Sequence, residues 1–301
     1  MAATLWDSFE DFLQTAENHF LNSRFEQAIQ AWDQYYKITA KTEYKKIIEE
    51  VQSNWDPEFI KQVDSLDRLY TYFTELQLRR TQNKISQFTY ELFKKLVIKI
   101  YKEQFRDRSA SDGGLEAGVF EYLSGNISEA QKKLTQILTL RIEDVQPRIY
   151  LGFTYLDSHD QKTAVALLTE NMFLAADKLP EEALYLSQFK LLYGKIFSDS
   201  GNREEAAWLL AFESWYRNYL IFTENKPFFR LMQQKESNER IMQVKYYSYE
   251  RYRHFVRCLY LSEYIRHFQK EQTGTLHELE NYMQKLDREL FARYRKKRKD
   301  N

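Results

Sequence analysis

Cysteine occurs once, at Cys258, so no internal disulfide can form and nothing in the thiol content points to an oxidising compartment. Glycine and proline are scarce, with 8 and 4 among 301 residues, against usual shares of roughly 7% and 5%. So few turn formers leave little room for the many tight turns of an all-β chain, and long helices are the simpler reading. Long apolar runs are missing as well. The longest, Ala206 to Phe212, falls far short of the ~20 residues that span a bilayer. The N-terminus has no basic stretch and meets acids at Asp7, Glu10 and Asp11, which is not the charge order of a secretory signal. The expectation is a cytoplasmic protein with no membrane span.

Apolar residues make up 43% of the chain and aromatic residues 16%, enough for a sizeable core and too many for a disordered chain. Charge balances overall at 44 basic and 44 acidic side chains, but not locally. Residues 1–60 hold eleven acids and five bases, a net of −6, whereas residues 285–301 hold eight bases and three acids, a net of +5. The neutral total argues against bulk nucleic-acid binding, while the C-terminal tail keeps a local version open.

A period runs through the sequence. Small residues pair at a spacing of twelve: Ala16 with Ala28, Gly118 with Ala130, Gly152 with Ala164 and Gly194 with Ala206. Gly118 and Gly152 are 34 residues apart, Gly152 and Gly194 are 42 apart, and Ala16 and Gly118 are 102 apart, or three periods of 34. Large apolar residues surround each pair: Phe12, Trp32 and Tyr35; Leu134 and Ile137; Leu151, Tyr155 and Leu168; Tyr193, Phe197 and Leu210. Turn signals fall between the members of a pair at Ser23-Arg24, Gly125-Asn126 and Gly201-Asn202. Small residues in two helices let their backbones approach, and large neighbours fill the flanking holes.

This pattern resembles the tetratricopeptide repeat (TPR), a 34-residue helix–turn–helix unit. The resemblance covers about 10–40 and 111–215. It departs from the family in lacking the helix-ending proline and in placing Glu121 and Asn171 where apolar or small residues are usual. It implies an all-α fold, an α-solenoid of TPR-like hairpins in a right-handed superhelix with extra N- and C-terminal helices. The expected organisation is an N-terminal helical unit over 1–106 with one hairpin, a repeat array over 111–222, and a C-terminal extension over 227–301 ending in the basic tail.

Outside the repeats, Phe25 to about Val51 reads as one prolonged helix. Asp56-Pro57 suits the start of a helix to about Arg80, with Val63, Leu66, Leu69, Tyr70, Phe73 and Leu76 on its apolar face. Ile85 to Phe105 repeats the theme through Phe88, Leu92, Phe93, Leu96 and Ile100. The segment 106–114 (RDRSASDGG) is the best loop, Leu179-Pro180 opens another long helix, and Thr223 to Pro227 is a break before two or three final helices.

Catalytic constellations are hard to find. No two of His19, His159, His254, His267 and His277 have the i, i+4 spacing of paired metal ligands. Gly113-Gly114 lacks the phosphate-loop spacing, and no Gly-x-Ser-x-Gly occurs. The pairs Glu181-Glu182 and Glu204-Glu205 sit in expected first turns, where they complement the helix dipole. Cys258 lies among Phe255, Val256 and Leu259 and reads as a buried, inert thiol. No enzyme, cofactor or metal is expected.

The resemblance instead implies a groove. In TPR arrays the first helices of successive repeats line the concave face, and here the corresponding residues include Leu115, Val119, Tyr122, Ile149, Phe153, Leu156, Asp157, Leu191, Lys195 and Asp199. The set is mostly apolar and suits a helical or extended protein segment held by a scaffold, adaptor or chaperone-like module. The other possibility is that the chain's own C-terminal helices fill this face as core. A second candidate surface is basic: Arg253 and Arg257 interleave with Tyr246, Tyr249, Tyr260 and Tyr264, and the tail adds Arg293, Arg295, Lys296, Lys297 and Arg298. Such residues can meet nucleic acid or anionic lipid. They also fit a helix sandwiched in a solenoid, followed by a frayed, solvated end.

Overall fold

The computed structural model describes residues 5–54, 63–107, 114–180, 183–241 and 248–300. Among the described residues the chain is all-helical, with no strand. It divides into two compact units, Met1–Ser124 and Gly125–Asn301, so the division falls within the array expected over 111–222.

The first unit holds α1 (Leu5–Leu21), α2 (Phe25–Thr39), α3 (Thr42–Asn54), α4 (Leu66–Thr81), α5 (Gln87–Ile100) and α6 (Leu115–Leu123). A π-turn over Tyr101–Phe105 extends α5. α1 packs along α2, and Phe20 on α1 is the hub. Its ring meets Phe25 and Phe93 edge-on, each at 5.1 Å between centroids, and Trp32 at 5.9 Å. Glu50, buried at the end of α3, receives the Ser86 amide, the Ser86 hydroxyl at 2.7 Å and the Thr89 hydroxyl at 2.5 Å, so it ties α3 to the start of α5. Burial pushes its carboxyl up, but the hydrogen bonds from Thr89 and Ser86 outweigh it and hold the group below the ordinary glutamate value. Glu121, a departure from the repeat pattern, is buried because it accepts a hydrogen bond from the Tyr101 hydroxyl at 2.8 Å.

Three expectations change here. The prolonged helix from Phe25 is two helices, because Ala40 adopts a left-handed conformation at φ 54° and its amide closes the last turn on the Tyr36 carbonyl at 2.7 Å. The next helix among the described residues starts at Leu66, after non-helical residues 63–65, where the Ser65 hydroxyl accepts the Arg68 amide. Asp56 and Pro57 lie outside the described residues, as does most of the 106–114 loop. Phe88 is exposed, so it leaves the apolar face on which Leu92, Phe93, Leu96 and Ile100 are buried.

The second unit holds α7 (Ile127–Leu140), α8 (Val145–Asp157), α9 (Gln161–Ala175), α10 (Ser187–Ser200), α11 (Arg203–Tyr216), α12 (Lys226–Ile241), α13 (Ser248–Phe268), α14 (Thr273–Leu286) and α15 (Arg288–Asp300). The long helix expected at Leu179-Pro180 begins only at Ser187, after a short 3-10 turn at Ala176–Lys178 and non-helical residues at 184–186. Glu181 and Glu182 are outside the described residues. The break near Thr223 is present, and Asn225 caps the following helix through the Phe228 amide at 3.1 Å. Among the described residues four helices follow it, more than the two or three expected.

The core of this unit is centred on α13. Twelve consecutive residues, 254–265, are all buried, because α9, α11, α12 and α14 each pack against this helix. A helix covered on every side needs no single apolar stripe. The Tyr260 ring meets Phe173 at 5.2 Å, Phe228 at 5.3 Å and Phe222 at 5.9 Å, while Tyr264 stacks on Phe229 at 4.2 Å. Cys258 is buried here, as expected.

Candidate functional site

The four small-residue pairs share one backbone design. Seven residues after the first small residue, and five before the second, the chain takes a left-handed conformation: Ser23 at φ 56°, Gly125 at 83°, His159 at 62° and Gly201 at 66°. Around Ser23 and His159 the helix end closes with paired bonds. The Arg24 amide reaches the His19 carbonyl, and the Asp160 amide reaches the Tyr155 carbonyl, both at 2.8 Å. Gly201 uses the simpler single bond, its amide to the Phe197 carbonyl at 2.9 Å. The following residue then caps the second helix. In each case the amide of the second small residue (Ala28, Ala130, Ala164 or Ala206) bonds the carbonyl of that capping residue, at 3.0 to 3.2 Å. α1 packs along α2, α8 along α9, and α10 along α11.

Ala16, Ala28, Ala130, Ala164 and Ala206 are fully buried, and Gly118 and Gly152 are buried. At Gly152 a methyl group would lie 3.0 Å from the Tyr185 hydroxyl oxygen, and that hydroxyl donates to the Ala164 carbonyl. Tyr185 thus crosses both small residues of its hairpin, and burial pushes its hydroxyl pKa far up. Gly194 corrects the pattern. It is exposed, with nothing within 4 Å of where its side chain would start. The cause is local: α9 packs on α11, but α8 and α10 barely meet, so no neighbouring first helix covers Gly194.

The residues expected to line a groove sort into three environments. Val119 and Ile149 are buried core residues and present nothing to a partner. Leu115, Tyr122, Phe153 and Leu156 are half-buried, with the Phe153 ring edge-on to Tyr185 at 5.6 Å and to Tyr150 at 5.9 Å. Leu191 is 75% exposed, and Lys195 and Asp199 are exposed with it on α10. Sequence spacing missed Phe197 as a surface group: its ring is 44% exposed and lies parallel to Tyr193. Only Phe189 and Leu192 of α10 are buried. Within the second unit α13 packs on the second helices α9 and α11 and leaves the outer side of α10 uncovered.

Two of the depressions among the described residues of this unit flank its first helices. One is a crevice between the Ala176–Lys178 turn, α10 and α11, lined by Met172, Leu179, Leu184, Tyr193 and Leu210, with room for about one water. The other is an open, solvent-filled hollow between the α7–α8 turn and α12, lined by Leu140, Arg141, Glu143, Leu231 and Lys235. Lys235 pairs with Glu143 at 3.2 Å there. The buried polar groups lie elsewhere. Arg148 and Glu170 form an ion pair at 3.1 Å, with the Asn225 amide donating to Glu170 at 2.8 Å and the guanidinium over the Phe228 ring. Desolvation raises the Glu170 pKa and lowers that of Arg148. Glu236 lies 3.0 Å from His254 Nδ1 and 3.6 Å from Cys258 Sγ, all three inside the core. None of these five charged or nucleophilic side chains lines either depression. Among the described residues there is no cluster of ligands able to hold a metal ion and no helix long and apolar enough to cross a membrane.

The basic candidates divide sharply. Arg257 is buried on α13, over the Trp208 ring and toward the Leu174 carbonyl, and Arg253 is half-buried 3.8 Å from Glu250. Neither is placed to stack on bases. Tyr260 and Tyr264 are buried with them, and Tyr246 lies outside the described residues. Nor is the C-terminus frayed: it is helix α15, and three of its seven bases grip α11. Arg293 binds Glu213 at 2.6 Å and lies over the Tyr216 ring at 4.7 Å. Lys297 lies over Trp215 at 4.2 Å and donates to its carbonyl, and Arg298 pairs with Glu263. Burial lowers the Lys297 pKa to about 8. Arg295 and Lys296 remain exposed. No protein-family model matches the chain, and no curated protein or solved structure matches it.

Proposed function

We propose that the protein is a non-enzymatic module of TPR-like hairpins, an α-solenoid that holds a helical or extended segment of another protein against its first helices. The observation that carries this reading is the left-handed turn at one register in four helix–turn–helix segments, with buried small residues at seven of the eight flanking positions, together with the largely uncovered α10. The crevice beside α10 has room for about one water, which favours a macromolecular ligand over a small substrate there. The contact centres on Leu191, Lys195 and Phe197, with Phe153 and Leu156 of the same unit contributing their exposed edges.

Magnitudes set the demand on the partner. Burying Leu191 and Phe197 gives about 1.5–3 kcal/mol each, so together they reach only about a millimolar complex. A micromolar ligand must also engage the half-buried rings or Lys195. Selection of a displayed peptide library against the full chain tests the reading. Peptides with spaced apolar anchors are expected to emerge, and Leu191→Glu with Phe197→Ser should abolish their binding while helicity is retained. Binding that survives in the folded double variant would move the site elsewhere.

A further inference from the structure

The grip of α15 on α11 fixes which bases point away. Successive residues of a helix turn by about 100°. Leu290, Tyr294 and Lys297 are buried against the unit, with Phe291, Arg293 and Arg298 at their flanks. On the opposite side Arg288, Arg295 and Lys299 fall within about 40° of one another, and Lys296 lies about 60° further round. All four are exposed and have no ion-pair partner among the described residues. Glu289 is the exposed acid beside them. Lys285, at the end of α14, is exposed and unpaired among the described residues as well.

The face is a straight line of positive charge about 16 Å long, at 1.5 Å per residue from 288 to 299. That is the axial length of about five nucleotides of one duplex strand. No aromatic ring shares it, since Phe291 and Tyr294 are buried, so it offers no platform for unpaired bases. Ala292 is its only apolar residue, which leaves nothing large to enter a bilayer. The helix is held rigid from behind, so the charges keep their spacing without a partner. We propose that the outer face of α15 is a docking surface for the phosphate backbone of double-helical nucleic acid, contacted without reading its bases.

Fluorescence anisotropy of a labelled duplex of about 20 base pairs, titrated with the full chain at rising salt, tests this. The logarithm of affinity should fall with that of salt at a slope of about −3 to −4, four contacts at about −0.9 each. Arg288→Gln, Arg295→Gln, Lys296→Gln and Lys299→Gln combined touch no buried group, so circular dichroism should be unchanged. The combined variant should lose at least about tenfold in affinity at ~50 mM salt, together with most of the slope. Single-stranded DNA of equal length should bind more weakly. The proposal is overturned by no duplex binding at low salt, by an unchanged slope in the folded variant, by tighter binding to the single strand, or by binding to phosphatidylserine vesicles in place of the duplex.

Discussion

In α8 the backbone at Gly152 lies against the Tyr185 ring, whereas in α10 the backbone at Gly194, at the same place in the next hairpin, is open to solvent. The turns that follow are alike, with left-handed residues at His159 and Gly201, and the second helices α9 and α11 are both deeply buried. The difference is what covers the first helix. The non-helical residues 184–186 before α10 place Tyr185 on α8 and α9, and α10 makes little contact with α8. A small residue in a repeat therefore permits close packing without causing it. Where a neighbour arrives, glycine is needed; where none does, the same glycine leaves an uncovered surface.

The comparison is sharpest at the charges the two first helices carry. Arg148 on α8 is 2% exposed and paired with Glu170 in the core, whereas Lys195 on α10 stands in water. Arg148→Ala leaves Glu170 buried without its partner and should cost about 3–5 kcal/mol by urea unfolding. Replacing both members, Arg148→Met with Glu170→Leu, should recover most of that loss, while Lys195→Met should change stability by less than about 0.5 kcal/mol. A small effect at Arg148 would mean that water reaches the pair.

The two glycines should respond to alanine with opposite signs. At Gly152 the added methyl presses on a hydroxyl fixed by its bond to the Ala164 carbonyl, and overpacking of this kind costs about 1–3 kcal/mol. The better helix propensity of alanine returns about 1 kcal/mol, so the net is a loss of roughly 1 kcal/mol. Tyr185→Phe in the same background should relieve part of it. Gly194→Ala meets open space and should gain about 0.5–1 kcal/mol. Equal signs at the two sites would remove the distinction between a covered and an uncovered first helix.

How much of this was legible follows from which signals are local. The hairpins were readable because small residues and Gly-Asn turns recur at fixed offsets, and helix pairing needs little else. Ala40 ends α2 with no glycine, asparagine or proline to announce it, so one apparent helix is two. Nothing adjacent to Arg148 reveals burial, since Glu170 lies on another helix and Asn225 beyond the next hairpin. The basic tail misled for the same reason. Eight bases in seventeen residues look solvated until Phe212, Trp215 and Tyr216 are placed beneath them by the packing of α15. The candidate groove was legible only as a list of positions. Which of them face water depends on α8 and α10 parting, and that depends on a stretch whose helical start the sequence placed too early.

The smallest contrast lies in the two helix caps. Asp160 caps α9 through the Thr163 hydroxyl at 2.6 Å and the Thr163 amide at 3.0 Å, while Asn202 caps α11 through the amides of Glu204 and Glu205. Only the first can titrate. The Thr163 side-chain bond, then the Thr163 amide, hold the Asp160 carboxyl below its ordinary 3.8. A carboxylate depressed in the folded state stabilises fully above its unfolded value, and that contribution is lost as pH falls through the folded value. Hydrogen exchange at the first turn of α9 should therefore quicken, relative to that of α11, as pH drops below about 3.8, the ordinary aspartate value. Asp160→Asn should make the two caps respond alike. If α9 and α11 loosen together in the native chain, the cap carboxylate is not what separates them, and the acid response belongs to the buried Arg148–Glu170 pair or to the unit as a whole.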